Sequence, residues 1–263
     1  MKAPFINIFI IAVILIEAVF SFGSDMGAAE INSQDSPKYN TEKAIRRVET
    51  KEKVVALTFD ADMMSKSYEA FKKGKDPLLY NEELISYLKN NNIPATLFLT
   101  GYWIEAYPET VKELAQNPLF EVANHSYSHP SFIKRCFRMR PVSDNQDEQE
   151  IKKTEELLEK YAPNYKKYFR FPGLCYDKKD FKIAKSLGYL VVHGDVPDGD
   201  GIGKGVKFTV KRVLSLVRPG SIVVLHMQGG YTAPSTAKAV PKIVEKLKGK
   251  GYRFVKVSEL LAL

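Results

Sequence analysis

The sequence predicts an α/β fold built around a parallel β-sheet. Short apolar runs of buried-strand type recur along the chain, and helical stretches separate most of them. The strands are predicted at 54–59, 95–99, 119–123, 168–171, 189–193, 221–225 and 252–255. The helices are predicted at 82–90, 108–117, 147–161, 177–187, 207–217 and 235–248. Because strands that alternate with helices are joined by crossovers, their sheet is expected to be parallel.

Both an open doubly wound sheet and a closed barrel fit this alternation. The first strand is followed by Asp60-Ala61-Asp62, with no Gly-rich phosphate loop, which removes the main reason to expect a dinucleotide-binding fold. Polar residues lie in or directly after five of the strands: Asp60, Asp62, His125, His129, Arg170, Asp195, Asp198 and His226. Catalytic residues of α/β barrels gather where strands end, so the pattern favours a barrel with a site on one rim.

Length and composition predict one domain behind an export signal. The chain has 263 residues, of which 44% are apolar. Residues 1–23, with an apolar run after Met1-Lys2, are predicted to be a secretory signal peptide or an uncleaved membrane anchor. Residues 24–50 are predicted to form a polar linker, and residues 51–263 a catalytic barrel. We therefore expect a secreted, periplasmic or envelope-associated protein that contacts a membrane only through an uncleaved leader.

The net charge of the chain bears on its expected partners, and its two cysteines raise the question of a disulfide. The net charge is +8, but no basic block alternates with aromatic residues, so nucleic acid is not an expected partner. A solvated basic surface is the favoured interpretation, with weak attraction to anionic envelope polymers as the alternative. Cys136 and Cys175 either pair in an oxidising compartment or remain separate thiols. We expect a monomer.

Two histidines form the strongest chemical signal in the sequence. His125 and His129 are two of only four histidines and stand four residues apart. If they lie in a helical turn, both imidazoles share one face and can reach one metal ion. Two imidazoles and one carboxylate are a catalytic rather than a structural zinc arrangement, because one coordination position stays open. Asp60 and Asp62, at i and i+2, would let one carboxylate bind metal and the other act as a base.

Five short motifs at these strand ends resemble those of a known family. They are TFDAD at 58–62, HSYSH at 125–129, RFPG at 170–173, DVPDG at 195–199 and VVLH at 223–226. Together they resemble the polysaccharide deacetylases of carbohydrate esterase family 4, over residues from about 54 to 261. The HSYSH motif matches without change. TFDAD carries an inserted Ala61, the glycine of RFPG stands one place early, and DVPDG lacks the family's tryptophan. The resemblance implies a distorted, incomplete (β/α) barrel of seven to eight parallel strands.

The resemblance also implies a role for each motif residue. His125, His129 and Asp62 would bind a divalent metal, with zinc the first expectation and cobalt or another divalent ion as alternatives. Asp60 would be the base and His226 the acid. Two more residues would support them, Arg170 by orienting Asp60 and Asp198 by supporting His226. Residues predicted to contact substrate are Tyr127, Pro172, Tyr176 and Leu225.

The expected function is removal of N-acetyl, or possibly O-acetyl, groups from an acetylated polysaccharide of the envelope or the extracellular space. The polymer could be peptidoglycan, chitin-like or xylan-like. One alternative is an amidohydrolase acting on a small cyclic amide, against which the leader argues. Another is a catalytically inactive sugar-binding barrel, against which the presence of Asp60 and His226 argues.

Overall fold

The computed structural model describes residues 42–75, 79–143, 145–197, 199–201, 203–229 and 233–263. Its strands are β1 Val54–Ala61, β2 Ala95–Leu99, β3 Phe120–Asn124, β4 Tyr168–Phe169, β5 Leu190–Val191, β6 Ser221–His226 and β7 Arg253–Val255. Its helices are α1 Ser65–Lys72, α2 Glu82–Asn90, α3 Gly101–Ala106, α4 Pro108–Gln116, α5 Asp147–Tyr161, α6 Lys178–Ser186, α7 Gly205–Leu216, α8 Thr236–Gly249 and α9 Val257–Leu261. A 3-10 turn covers Pro172–Leu174.

The strands form one sheet in which every strand pair is parallel. The order is β5-β4-β3-β2-β1-β6. On one side of β1, β7 pairs with the first half, where Val54 lies opposite Arg253, and β2 pairs with the second half, where Thr58 lies opposite Thr96. On the other side, β6 runs along nearly the whole of β1. All eight residues of β1 are buried, which explains why that strand reads as a continuous apolar run.

Isolated bridges span the gap between the two edge strands, β5 and β6. Ile45 bridges to Val192 directly after β5, Arg47 bridges to Ser221 at the start of β6, and Val196 bridges to Val223 within β6. The barrel is therefore closed by short bridges where a regular barrel would have a further strand. This geometry confirms the predicted distorted, incomplete (β/α) barrel of parallel strands.

The folded unit begins before residue 51, where the sequence placed its boundary. Ala44, Ile45 and Val48, in the predicted linker, are buried, and Ile45 and Val48 pack in a core cluster with Val54 and Ala56. The end of the segment therefore belongs to the barrel wall, because its few apolar residues fill the gap beside β5. The predicted leader 1–23 and the rest of the linker up to residue 41 lie outside the described residues.

The amphipathic helices pack on the sheet through the faces that their periodicity predicts. In α8, the spaced residues Val240, Ile243, Val244 and Leu247 are all buried. Asn81 caps helix α2 from the position before its first residue: its side chain accepts a hydrogen bond from the Leu84 amide and so satisfies a free helix-end donor. Three helices were not predicted: α1, α3 and α9, which are only five to eight residues long. No helix in the described ranges is long and apolar enough to cross a membrane.

A disulfide ties together two loops on one side of the barrel. Cys136 and Cys175 are bonded, 39 residues apart in sequence. The bond resolves the choice that the sequence left open in favour of pairing. It links the segment 131–146 to the chain directly after the 3-10 turn at Pro172–Leu174.

Candidate active site

Asp60 and Asp62 lie at the end of the central strand β1, and their side chains point to the same face. Strand β1 extends to Ala61, so the side chains at i and i+2 point to the same side. The register places His226, the last residue of β6, directly beside Asp60. The inserted Ala61 therefore does not separate the two carboxylates, and the end of β1 brings both to the rim of the barrel.

His125 and His129 converge through a bend and not through the predicted helical turn. Ser126 and His129 have positive φ angles of 66° and 57°, which non-glycine residues adopt only when their surroundings enforce it. Glu150 of α5 supplies that constraint: its carboxylate accepts hydrogen bonds from the amides of Tyr127 and Ser128 and from the Ser128 hydroxyl. The helical-turn prediction was wrong, because a distant helix fixes a tighter bend than local sequence suggests.

The two imidazoles meet one carboxylate oxygen. Nε2 of His125 and Nε2 of His129 each lie 3.3 Å from Oδ1 of Asp62. This oxygen is buried and makes no hydrogen bond within the described part of the chain. The Nδ1 of His125 donates to the carbonyl oxygen of Arg170 at 2.8 Å, which orients the ring so that its Nε2 faces Asp62.

These atoms fit a divalent metal ion. One ligand atom from each of Asp62, His125 and His129 falls within a single small cluster, as the sequence predicted. Burial opposes ionisation of Asp62, but the neighbouring charges of His129 and His226 outweigh it and hold the pKa of Asp62 well below its usual range. A buried carboxylate that stays ionised beside two imidazoles is a suitable ligand set for zinc or a similar cation.

Arg170 forms a buried ion pair with Asp60. The guanidinium is fully buried, and its Nη1 donates to Asp60 Oδ1 at 2.6 Å and to the Thr58 hydroxyl at 2.8 Å. Its other donors reach the carbonyl oxygens of Val192 and His193, and the Phe98 ring lies 3.8 Å from its central carbon. The second oxygen of Asp60 remains on the side of the ligand cluster, 3.7 Å from His125 Nε2.

Asp200, which the sequence analysis did not select, is the partner of His226. Its carboxylate is fully buried, lies 3.1 Å from His226 Nδ1 and accepts a hydrogen bond from the His226 amide at 2.9 Å. It also accepts from the Thr236 hydroxyl. Burial disfavours the charge on His226, but Asp200 and then Asp62 outweigh it and raise the pKa of His226 well above its ordinary value. Asp198, predicted for this role, lies outside the described residues.

The Nε2 atom of His226 faces the metal ligands. It lies 3.4 Å from Oδ2 of Asp62. Asp60, Asp62 and His226 therefore form a second group of atoms close enough to share a cation. The geometry brings the predicted base, the predicted acid and the predicted ligands into one small site.

The other predicted residues occupy different positions. Tyr127 donates its hydroxyl hydrogen to Glu105 at 2.9 Å and borders a cleft beside His129. Tyr176 instead stacks on Phe171 and borders a separate groove with Leu174 and Phe181, so the structure does not bring it to that cleft. Leu225 is fully buried in the core with Phe59, and Pro172 is buried at the start of the 3-10 turn.

Three further residues are structural. His193 is fully buried against Phe171 and Tyr176, and burial together with Arg170 holds its pKa well below the ordinary value, so the ring is neutral. Asp195 accepts hydrogen bonds from Ser221 and the Ile222 amide at the start of β6, at the opposite end from His226. Trp103 is fully buried and donates to Leu79, so it does not replace the missing groove tryptophan.

The cleft beside His129 has a volume of about 440 Å³. Its walls come from the start of α1, the bend that carries His129, the first half of α5 and the end of the segment 131–146. This segment contains Cys136 and is called the disulfide-linked loop below. Lining residues are Met64, Ser65, Lys66, Tyr102, Tyr127, Ser128, His129, Pro130, Arg140, Pro141, Val142, Ser143, Gln146, Glu150 and Lys153. A predicted metal ligand thus opens onto a space of the size that small-molecule sites occupy, about 300–1,000 Å³.

The chain is thus a parallel α/β barrel with a cluster of histidines and carboxylates at its rim that could hold a metal ion. Comparisons with known proteins identify its family. The polysaccharide deacetylase family matches residues 47–192, and the chain belongs to that family. A peptidoglycan-N-acetylglucosamine deacetylase of Bacillus cereus is 32% identical over 218 residues, which cover 81% of this chain and 91% of that relative. A second B. cereus relative of the same description is 32% identical over 201 residues, or 66% of its length.

Solved structures share the fold. The peptidoglycan N-acetylglucosamine deacetylase Bc1960 matches with a TM-score of 0.68 and 28% identity, over 82% of this chain and 92% of its own. A mutant of BA3943, described as a family 4 pseudoenzyme with restored enzymatic activity, matches with a TM-score of 0.67 and 25% identity over 84% and 71%. An acetyl xylan esterase of Clostridium thermocellum, solved with a cobalt ion, matches with a TM-score of 0.62 and 25% identity over 80% and 91%.

Proposed function

We propose that this protein is an exported, metal-dependent deacetylase that removes N-acetyl groups from the glycan of peptidoglycan or a related envelope polysaccharide. The single observation that carries the proposal is the arrangement at the rim. Asp62, His125 and His129 offer three ligand atoms to one cation, while Asp60 and His226 stand on the same site with their own buried partners. The relatives named as peptidoglycan deacetylases support the choice of substrate.

Asp60 is suited to the role of base. When a divalent cation is bound at the three ligands, it supplies Lewis acidity toward water and carbonyl oxygens. Arg170 donates to one oxygen of Asp60 and so fixes the orientation of the carboxylate. The other oxygen faces the ligand cluster and accepts a proton from a water molecule held there. Asp60 therefore activates the nucleophile without being a metal ligand itself.

His226 is suited to the role of acid. Asp200 holds its Nδ1, so the proton that can be given away stays on Nε2, which faces the site. Because the pKa of His226 is raised, the ring carries this proton at neutral pH. Expulsion of a sugar amine from a tetrahedral intermediate requires protonation of its nitrogen, and His226 Nε2 donates that proton.

Export rests on two observations. The apolar run near the start of the chain has the composition of a signal peptide or anchor. The Cys136–Cys175 disulfide is typical of proteins that fold in an oxidising compartment. An envelope substrate agrees with both, whereas the cyclic-amide alternative would place the protein in the cytosol.

The competing function is sugar binding without catalysis, because one structural neighbour is described as a pseudoenzyme. The deciding experiment measures acetate release from peptidoglycan strands, chitin oligomers and acetylated xylan, with and without a chelator. We expect release from the acetamido glycans, abolished by the chelator and restored by zinc or cobalt. Binding of these glycans without any acetate release at full metal occupancy would overturn the proposed activity.

A further inference from the structure

Three basic side chains surround the cleft that opens beside His129. Lys66 stands in the first turn of α1, Arg140 in the disulfide-linked loop and Lys153 in α5, so three separate elements each contribute one cation. All three side chains are exposed. None of them forms an ion pair with any described residue of the chain. Ion pairs within the described chain therefore do not explain why these three cations surround one cleft.

The one acidic residue in the described lining does not neutralise them. Glu150 is that residue, and its two oxygens already accept three hydrogen bonds from Tyr127 and Ser128. Three cations against one carboxylate leave an excess of positive charge in the described lining, and such a field attracts an anionic ligand.

Aromatic rings form the wall opposite the loop. Tyr102 and Tyr127 border the cleft, with ring centroids 4.7 Å apart, and Tyr68 stacks on Tyr102 at 4.4 Å. Lys153 lies over the Tyr127 ring, with its ammonium 5.4 Å from the centroid. Tyrosines combine an apolar ring with a polar hydroxyl, so the parts of these rings that line the cleft can contact a sugar. The cleft thus combines aromatic side chains with cations for a charged substituent.

We propose that this cleft is a subsite for a carboxylate carried by the glycan itself, on a sugar bound next to the acetamido group that is cleaved. The inference rests on the proposed deacetylase function, because His129 joins the cleft to the reacting site. Arg140 suits a carboxylate best, since its planar guanidinium can donate two parallel hydrogen bonds. Lys66 and Lys153 add charge without that geometry. The preferred substrate is therefore an acidic glycan, with carboxylate-bearing sugars between acetamido sugars, and not a neutral one.

The test compares matched substrates and matched variants. The substrates are peptide-free glycan strands with a lactyl ether carboxylate on every second sugar, the same strands with each carboxylate converted to a methylamide, and neutral chitin oligomers of equal length. The variants are Arg140→Gln and Lys153→Gln. Their controls are Arg138→Gln, in the same loop, and Lys152→Gln, which pairs with Glu148; neither control residue lines the cleft.

We expect Arg140→Gln and Lys153→Gln to lower kcat/KM on the acidic strands by roughly 2- to 5-fold each, the scale of exposed charged contacts. Both variants should lower kcat/KM on the methylamide strands by a clearly smaller factor than on the acidic strands, and both controls should behave as the native protein does. Added salt should weaken turnover of the acidic strands more than that of the neutral oligomers. Equal kcat/KM on acidic and amidated strands, or equal losses in Arg140→Gln and Arg138→Gln, would overturn the subsite.

A binding measurement separates this inference from the proposed activity. Titration of the chelator-treated protein with the acidic strands should give a weaker affinity for Arg140→Gln than for Arg138→Gln, whether or not acetate is released. If this difference appears without any acetate release, the subsite stands and the deacetylase proposal fails. If acetate is released but the difference is absent, the subsite fails alone. A preference that requires peptide stems on the strands would place the carboxylate on the peptide and overturn it.

Discussion

At the residue scale, the acid of the site depends on a buried pair. His226 is held by Asp200, which lies two residues beyond the Asp198 that the family motif suggested. The short glycine-rich stretch that follows Asp198 gave no periodic signal, so the sequence could not show which carboxylate reaches the histidine. The pair determines both the orientation of the imidazole and its charge. Replacing the Asp200 carboxylate with an amide tests the dependence of the imidazole on this pair.

Asp200→Asn should move the alkaline limb of the pH–rate profile to lower pH. In the proposed mechanism His226 acts while protonated, so activity falls as pH rises through its pKa. Asp200 helps to raise that pKa above the ordinary histidine value, and the neutral amide removes its share. Profiles of kcat/KM for both proteins provide the measurement, and an unmoved alkaline limb would rule out His226 as the acid.

His226→Ala should separate two kinds of substrate. Loss of a general acid lowers turnover of acetamido sugars by about 10²–10⁴-fold, because an amine leaves only after protonation. An aryl acetate should lose much less, since its leaving group departs without a proton. Metal content should remain that of the native protein. Loss of metal together with equal losses on both substrates would instead make His226 a ligand, as its closeness to Asp62 and Asp60 would allow.

At the element scale, helix α5 determines the geometry of the histidine bend. Glu150 accepts the Tyr127 and Ser128 amides, and Ser126 and His129 hold positive φ angles within the same bend. The interpretation of HSYSH as a helical turn failed for this reason: a residue more than twenty positions away overrides local preference. By contrast, the predicted bounds of α2 and α5 are confirmed, because periodic apolar faces and helix-end residues are local signals.

Glu150→Ala should weaken metal binding although Glu150 is not a ligand. The change leaves two half-buried backbone donors of the bend without their acceptor, which costs at most about 1–3 kcal/mol each, and releases His129 from its position. We expect a loss in metal affinity of about 10–100-fold, the range seen when groups that orient ligands are removed. The matched control is Glu156→Ala, an exposed residue of the same helix. Competitive metal titration measures both, and equal affinities would show that α5 does not set the bend.

At the scale of the whole molecule, isolated bridges close the barrel, and a disulfide links two of its loops. The alternation of strands and helices predicted the parallel sheet and the rim on which the site lies. It could not predict the closure, because single bridges from Ile45, Arg47 and Val196 have no sequence period. The pairing of Cys136 with Cys175 was likewise undecided, since two cysteines carry no information on their separation in space.

Removal of the disulfide should lower the stability of the barrel. The double variant Cys136→Ser with Cys175→Ser loses a crosslink that closes a loop of 39 residues, and we expect the free energy of unfolding to fall by about 2–4 kcal/mol. Urea unfolding provides the measurement. The native protein under reducing conditions should unfold at the same urea concentration as the double variant. An unchanged midpoint in both would mean that the crosslink contributes nothing to stability.

The most direct test of the central claim is a metal titration of three proteins, followed by acetate release from peptidoglycan strands. The metal-free native protein should gain activity in proportion to bound zinc or cobalt, up to one ion per chain. Asp62→Asn should fail to retain the ion, because its carboxylate joins the two imidazoles. Asp60→Asn should retain the ion and lose turnover, because Asp60 is the proposed base. Full activity in the metal-free native protein, or the opposite behaviour of the two variants, would contradict the account.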